Sequence, residues 1–137
     1  MGFDISFYRF VGNSPKFDQM EQLQDQEDIA LDAGQLLEIR RVASAILGTI
    51  PGSAPSPYQQ AEEQVICIDI PLPGDPDASF EILIGLQQAH ISDWHPDTSD
   101  PDTLGTLITL IAVLESLGYE AFEPQRGAFV NAASYRW

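Results

Sequence analysis

Between Asp93 and Asp102 the chain reads Asp-Trp-His-Pro-Asp-Thr-Ser-Asp-Pro-Asp, and His90 stands just before it. The carboxylates of Asp93, Asp97, Asp100 and Asp102 beside the His95 imidazole are donors for a hard cation. With His90 they could equally serve acid–base work, since histidine titrates near neutral pH. One expectation is therefore a small metal-dependent or hydrolytic enzyme using His90 or His95 with Asp93 and Asp97. The spacing is not that of a calcium loop. Counted from Asp93, the sixth position is Thr98 instead of Gly and the twelfth is Leu104 instead of Glu. Zinc would need further ligands from elsewhere in the chain. The competing expectation is a capped loop. Ser99 or Asp100 would cap a helix, Pro101 would open it, and Asp102 would favour the positive end of its dipole.

Other reactive groups are sparse. Cys67, the single cysteine, lies in Val65-Ile66-Cys67-Ile68, the surroundings of a buried small hydrophobe. Neither a cation nor a helix start stands near it to favour the thiolate. The chain contains no Gly-x-Ser-x-Gly elbow and no phosphate-cradling glycine loop. The sequence therefore assigns no catalytic residue, metal ligand or cofactor.

Charge is the stronger signal. The chain carries 21 Asp and Glu against 6 Lys and Arg, a net charge of −15 over 137 residues. From Val42 to Gln125 there is no Lys or Arg at all. A field of this sign repels nucleic acid and anionic membranes and speeds encounter with basic proteins. The basic pair Arg40-Arg41 is expected to bond to the acidic stretch that precedes it. No basic region followed by an apolar run opens the chain, and its longest apolar stretch, Leu107 to Leu114, is far too short to span a bilayer. A cytoplasmic location is expected.

Apolar periodicity supplies the elements that must position these groups. Phe3 to Phe10 alternates as a strand. Residues 16–33, rich in Asp, Glu and Gln, read as an acidic surface arm with at most a short helical turn. Leu36, Ile39, Val42, Ala43, Ile46, Leu47 and Ile50 form one helical stripe, capped by Asp32 and stopped by Gly48 and Pro51. Strands are expected over Gln64–Leu72, Phe80–Leu86 and Gln87–Trp94. The second helix should bury Leu104, Leu107, Ile108, Ile111, Ala112 and Leu114, and end at Gly118. Two short strands, Tyr119–Phe122 and Ala128–Val130, close the chain. The order βαβββαββ predicts one α+β domain over residues 1–137. Its mostly antiparallel sheet has about five to six strands, with two main helices on one face. The aromatic residues Phe3, Phe7, Tyr8, Phe10, Phe129, Tyr135 and Trp137 are candidates for core or contact surface.

The run Gly118-Tyr119-x-x-Phe122-Glu123-Pro124-Gln125-x-Gly127 and the opening Gly2-Phe3-Asp4-Ile5-x-Phe7-Tyr8-Arg9 resemble the two ends of small uncharacterised bacterial α+β proteins. Some of those are similar to immunity proteins encoded beside secreted toxins. The resemblance implies a fold and a protein-binding role, with no catalytic residues to carry over. Together with the charge it predicts a non-enzymatic protein that occludes a basic partner such as a toxin. The expected contacts are Asp18, Glu21, Asp25, Glu27 and Asp28 of the arm, Asp97, Asp100 and Asp102 at the second helix, and Trp137. A homodimer through Trp137 and an edge strand, with acidity serving only solubility, is a further expectation.

Overall fold

Among the described residues, period-two alternation and period-three-to-four stripes resolve into seven strands and three helices. The structure, a computed structural model, describes residues 3–25, 32–56, 66–72, 75–94 and 101–135. Within them the side chains of Phe3, Gln24, Asp25, residues 75–78 and residues 92–94 are left undescribed. In chain order the elements are β1 (Phe3–Tyr8), α1 (Lys16–Asp25), α2 (Ala33–Thr49), β2 (Ala54–Pro55) and β3 (Ile66–Leu72). Then follow β4 (Asp75–Ile84), β5 (Gln88–Trp94), α3 (Pro101–Ser116), β6 (Glu120–Glu123) and β7 (Ala128–Val130).

All seven described strands join one antiparallel sheet in the order β2-β3-β4-β5-β1-β6-β7. The α+β class is as expected, but the sheet has one strand more than the pattern suggested, β2, and the fold one helix more, α1. The two-residue β2 has too few positions to alternate. The acidic arm begins as the ten-residue helix α1 instead of a single turn. Strand β4 starts at Asp75, earlier than expected, because Leu72 pairs with Asp75 across a register break and Pro71 with Ser79.

One face of the sheet carries Ile5, Phe7, Ile68, Ile70, Phe80, Ile82, Ile84, Ala89, Ile91 and Ala121, all buried under α2 and α3. Each fully buried Ile contributes roughly 2–3 kcal/mol by leaving water. Helix α2 starts where Asp32 accepts from the Gln35 N–H and the Gln35 side chain accepts from the Asp32 N–H, a capping box. It turns its Ile39, Val42, Ala43 and Ile46 stripe inward. After it, Ile50-Pro51-Gly52-Ser53 turns the chain with a positive φ at Gly52, where an added Cβ would lie 2.9 Å from Pro71. Helix α3 buries Thr103, Leu107, Leu110, Ile111 and Leu114, while Ala112 faces outward, one step off the expected stripe. Its end is a left-handed Gly118 (φ 94°), with the Tyr119 N–H returning to the Leu114 carbonyl at 3.0 Å.

The Pro124-Gln125 turn has a visible purpose. Beyond the Ser6–Phe122 pair the ladder meets Pro124, which has no N–H to offer. With its amide turned so that the nitrogen faces the Asp4 carbonyl, Gln125 takes over, donating to that carbonyl at 2.9 Å and accepting from the Asp4 N–H.

Candidate partner-binding surface

Helix α1 lies on the other face of the sheet, over β1, β6 and β7. Gln19, buried, holds it there: Oε1 accepts from the Val11 N–H at 2.9 Å and Nε2 donates to the Ser14 carbonyl at 2.8 Å. Met20 is buried beneath the helix, and Phe17 packs on Phe122 and Phe129 with ring centroids 5.9 Å away. At 3.6 residues per turn, fixing Gln19 and Met20 inward forces Asp18 and Glu21 into solvent, and both are exposed. Asp25 ends α1. Asp102 is exposed in the first turn of α3, beside a hollow walled by Ile50 and Pro51. Because α3 packs on the opposite face from α1, Asp18 and Glu21 belong to one surface and Asp102 to another. The sheet thus separates Asp18 and Glu21 from Asp102. Glu27, Asp28, Asp97, Asp100 and Trp137 lie outside the described residues.

Four of the five cations among the described residues pair with carboxylates of the chain, while Arg40 is exposed on α2 and joins no ion pair. Arg9 donates to the Leu117 carbonyl at 2.9 Å, pairs with Glu38 at 2.9 Å and lies 4.4 Å from the centre of the Tyr119 ring. Arg41 forks onto the same carboxylate, from Nε at 2.9 Å and from Nη2 at 2.6 Å. Of the pair Arg40-Arg41 expected to bond the acidic arm, Arg41 bonds within α2 instead, where the i,i+3 spacing brings the two side chains together without ordering a loop, and Arg40 joins no ion pair among the described residues. Arg41, with Arg9 behind it, holds the Glu38 carboxyl at about 2 against the opposing effect of burial. Lys16 pairs with Glu120 at 2.8 Å, and Arg126 with the buried Glu123 at 3.1 Å. Asp18 and Glu21 have no such partner among the described residues. On the sheet, Asp69 and Glu81 stand directly opposite one another, a like-charge pair relieved in part by Ser56, which donates to Glu81 at 3.0 Å.

Beside α1 the rings of Tyr8, Phe10, Phe129, Phe122 and Phe17 form a chain with neighbouring centroids 5.2 to 5.9 Å apart. The Lys16 ammonium sits over two of them, 5.5 Å from the Phe10 centroid and 5.2 Å from that of Phe129. Of the aromatic residues singled out in the sequence, Phe7, Tyr8 and Tyr135 are buried, whereas Phe10 and Phe129 are partly exposed. Phe17, Lys16 and Glu120 carry no distinguishing sequence signal, and Phe122 stands out only within the run from Gly118 to Gly127. Their meeting depends on α1 crossing the β6–β7 hairpin.

His90 lies mid-sheet on this same face, in a row with Cys67, Leu83, Ser6, Phe122 and Phe129. Its Nδ1 is 2.9 Å from the Ser6 hydroxyl, and burial holds its pKa below the ordinary value, with Asp4 opposing. Ser6 sits in a regular stretch of β1 between two partner strands, so the bond is a cross-strand tie. Cys67 is buried, as its neighbours predict. Asp93 lies on β5, while His95 and Asp97 are outside the described residues. Among the described residues no three carboxylate, imidazole or thiol groups gather into a metal-binding set. No described helix is long and apolar enough to cross a membrane.

On the flank of α1 away from the rings, Arg9, Val11, Asp18, Gln19 and Glu21 line an open cleft of about 690 Å³. Comparison with protein-family models, with curated proteins and with solved structures gave no match.

Proposed function

We propose that this chain is a non-enzymatic binding protein whose acidic surface covers a basic protein partner, in the manner of an immunity protein on a toxin. One observation carries the reading. Arg9, Lys16, Arg41 and Arg126 are each bound by Glu38, Glu120 or Glu123, whereas Asp18 and Glu21 stand exposed on α1 without a partner among the described residues. Arg40, exposed on α2, joins no ion pair among the described residues, but pairing the other four described cations leaves the field around α1 negative, which steers a basic protein toward this face. The opposed Asp69 and Glu81 add a second position where a cation from outside would relieve repulsion.

The test is capture from lysate of the source cell at low salt, followed by elution with rising salt and kinetics on the retained protein. Replacing Asp18→Lys and Glu21→Lys together should slow its association roughly tenfold at low ionic strength, with the difference closing as salt shortens the Debye length. An unchanged association rate, or capture indifferent to salt, removes the acidic surface from the account.

A further inference from the structure

We propose that Phe10, Phe129 and Glu120 form an ammonium-binding site, occupied by this chain's own Lys16, which accepts a lysine side chain of the basic partner by exchange. The inference rests on the reading above and names its contact.

The site has the parts that hold an alkylammonium. Two ring faces present their negative quadrupoles to the cation at 5.2 and 5.5 Å, and the Glu120 carboxylate accepts a hydrogen bond from it at 2.8 Å. Phe122 and Phe17 extend the wall, with Phe129 edge-on to Phe122 at 5.2 Å and Phe17 59% exposed. A single carboxylate between ring faces suits the compact charge of lysine better than the planar fork of arginine, which favours two parallel acceptors. Lys16 itself demonstrates what fits.

The occupant is replaceable. Lys16 opens α1, in the turn that lacks intrahelical partners for its N–H groups, and the helix is held by Gln19 and Met20 further along. Side-chain exposure is 49% for Lys16 and 46% for Glu120. An exposed pair of this kind holds weakly. An incoming lysine could therefore take the seat while Lys16 turns to solvent, and Asp18 and Glu21 on the same helix supply the attraction that brings it there. A second copy of this chain is a poor occupant, because two molecules at −15 repel.

The probe is Nα-acetyl-lysine methylamide, with its Nε-acetylated form as the neutral control, observed through ring-proton shifts of labelled phenylalanine. A tethered competitor acts at an effective concentration in the millimolar range, so Lys16→Ala should tighten probe binding on the order of tenfold. The shifts should fall on Phe10 and Phe129. Adding Glu120→Gln should abolish most of that gain, and the neutral control should not bind. Lys16→Gln, which keeps the chain length of the side chain near native, serves if the Ala variant loses α1. Saturable shifts that the neutral control fails to reproduce support the site. A folded Lys16 variant that ignores the probe, or binds both forms alike, overturns it. Salt-dependent capture of a basic protein by the native chain would survive that failure, so the two readings fall separately.

Discussion

Tyr119 is where the end of α3, the start of β6 and the turn between β4 and β5 meet, and Tyr119→Phe tests how tightly they are joined. The ring is 2% exposed and lies beneath the Arg9 guanidinium, and its hydroxyl donates to the Gly85 carbonyl at 3.1 Å. Burial raises the pKa of this phenol, so it stays a donor across the working range. Phenylalanine keeps the ring and its contact with Arg9 but removes the one hydrogen bond, leaving a part-buried carbonyl without that donor. The cost is about 1–2 kcal/mol. For a chain of this length that corresponds to a fall in melting temperature of roughly 3–8 °C. Tyr119→Leu removes the cation–ring contact as well and leaves a void, so its total loss should reach about 3–4 kcal/mol. Urea unfolding followed by far-UV circular dichroism measures both, with an unchanged slope required for the comparison. A Phe variant within about 0.3 kcal/mol of the native chain would refute the Gly85 bond, since surface changes fall within that scatter. A Leu variant no worse than Phe would refute the seat beneath Arg9.

Two predictions concern pH. Burial raises the pKa of Glu123 above its ordinary 4.5, while Arg126 and the Tyr135 hydroxyl pull the other way. The ionised carboxylate therefore opposes folding at neutral pH, a cost that disappears as pH falls through the folded value toward 4.5. Glu123→Gln should melt higher than the native chain at pH 7, with the difference shrinking in acid; a lower melting temperature at pH 7 would show that Arg126 outweighs burial. His90 has a folded pKa below its ordinary 6.5, so its contribution is complete above that value and lost as pH falls through the folded one. His90→Gln, which keeps an acceptor for Ser6, should flatten the stability profile below pH 6.5, and an unaltered profile would place the loss in other groups.

Much of the scaffold was legible because its signals are local. Asp32 and Gln35 announce the start of α2, Pro101 that of α3, and Gly118 its end, each through backbone groups within a few residues. Alternation in Ile66–Ile70 and Phe80–Ile84 marks these segments as strands, since a strand turns its side chains over at every step. The pattern failed where partners are distant. β1 alternates like a strand with one buried face, yet Ser6 and Tyr8 on its second face are buried too. Its place in the middle of the sheet, between β5 and β6, comes from residues far along the chain. Helix α1 looks like an arm in the sequence because Asp, Glu and Gln dominate it, and its few inward residues, Gln19 and Met20, carry little weight in a composition.

By itself, then, the sequence determined the α+β class, the helix ends, the buried cysteine and a net charge that no arrangement of the chain can change. Charge is a sum over residues, and caps and alternation are nearest-neighbour effects, so each survives without knowledge of the fold. Tertiary structure alone decided which charges remain available. Arg9 and Glu38, or Lys16 and Glu120, are far apart in sequence and meet only because α2 and α1 cross the sheet. The same crossing seats the Lys16 ammonium between Phe10 and Phe129, and it sends Asp18 and Glu21 to one face and Asp102 to the other. Pairing depends on distances of a few ångströms in space, and separation along the chain does not encode them.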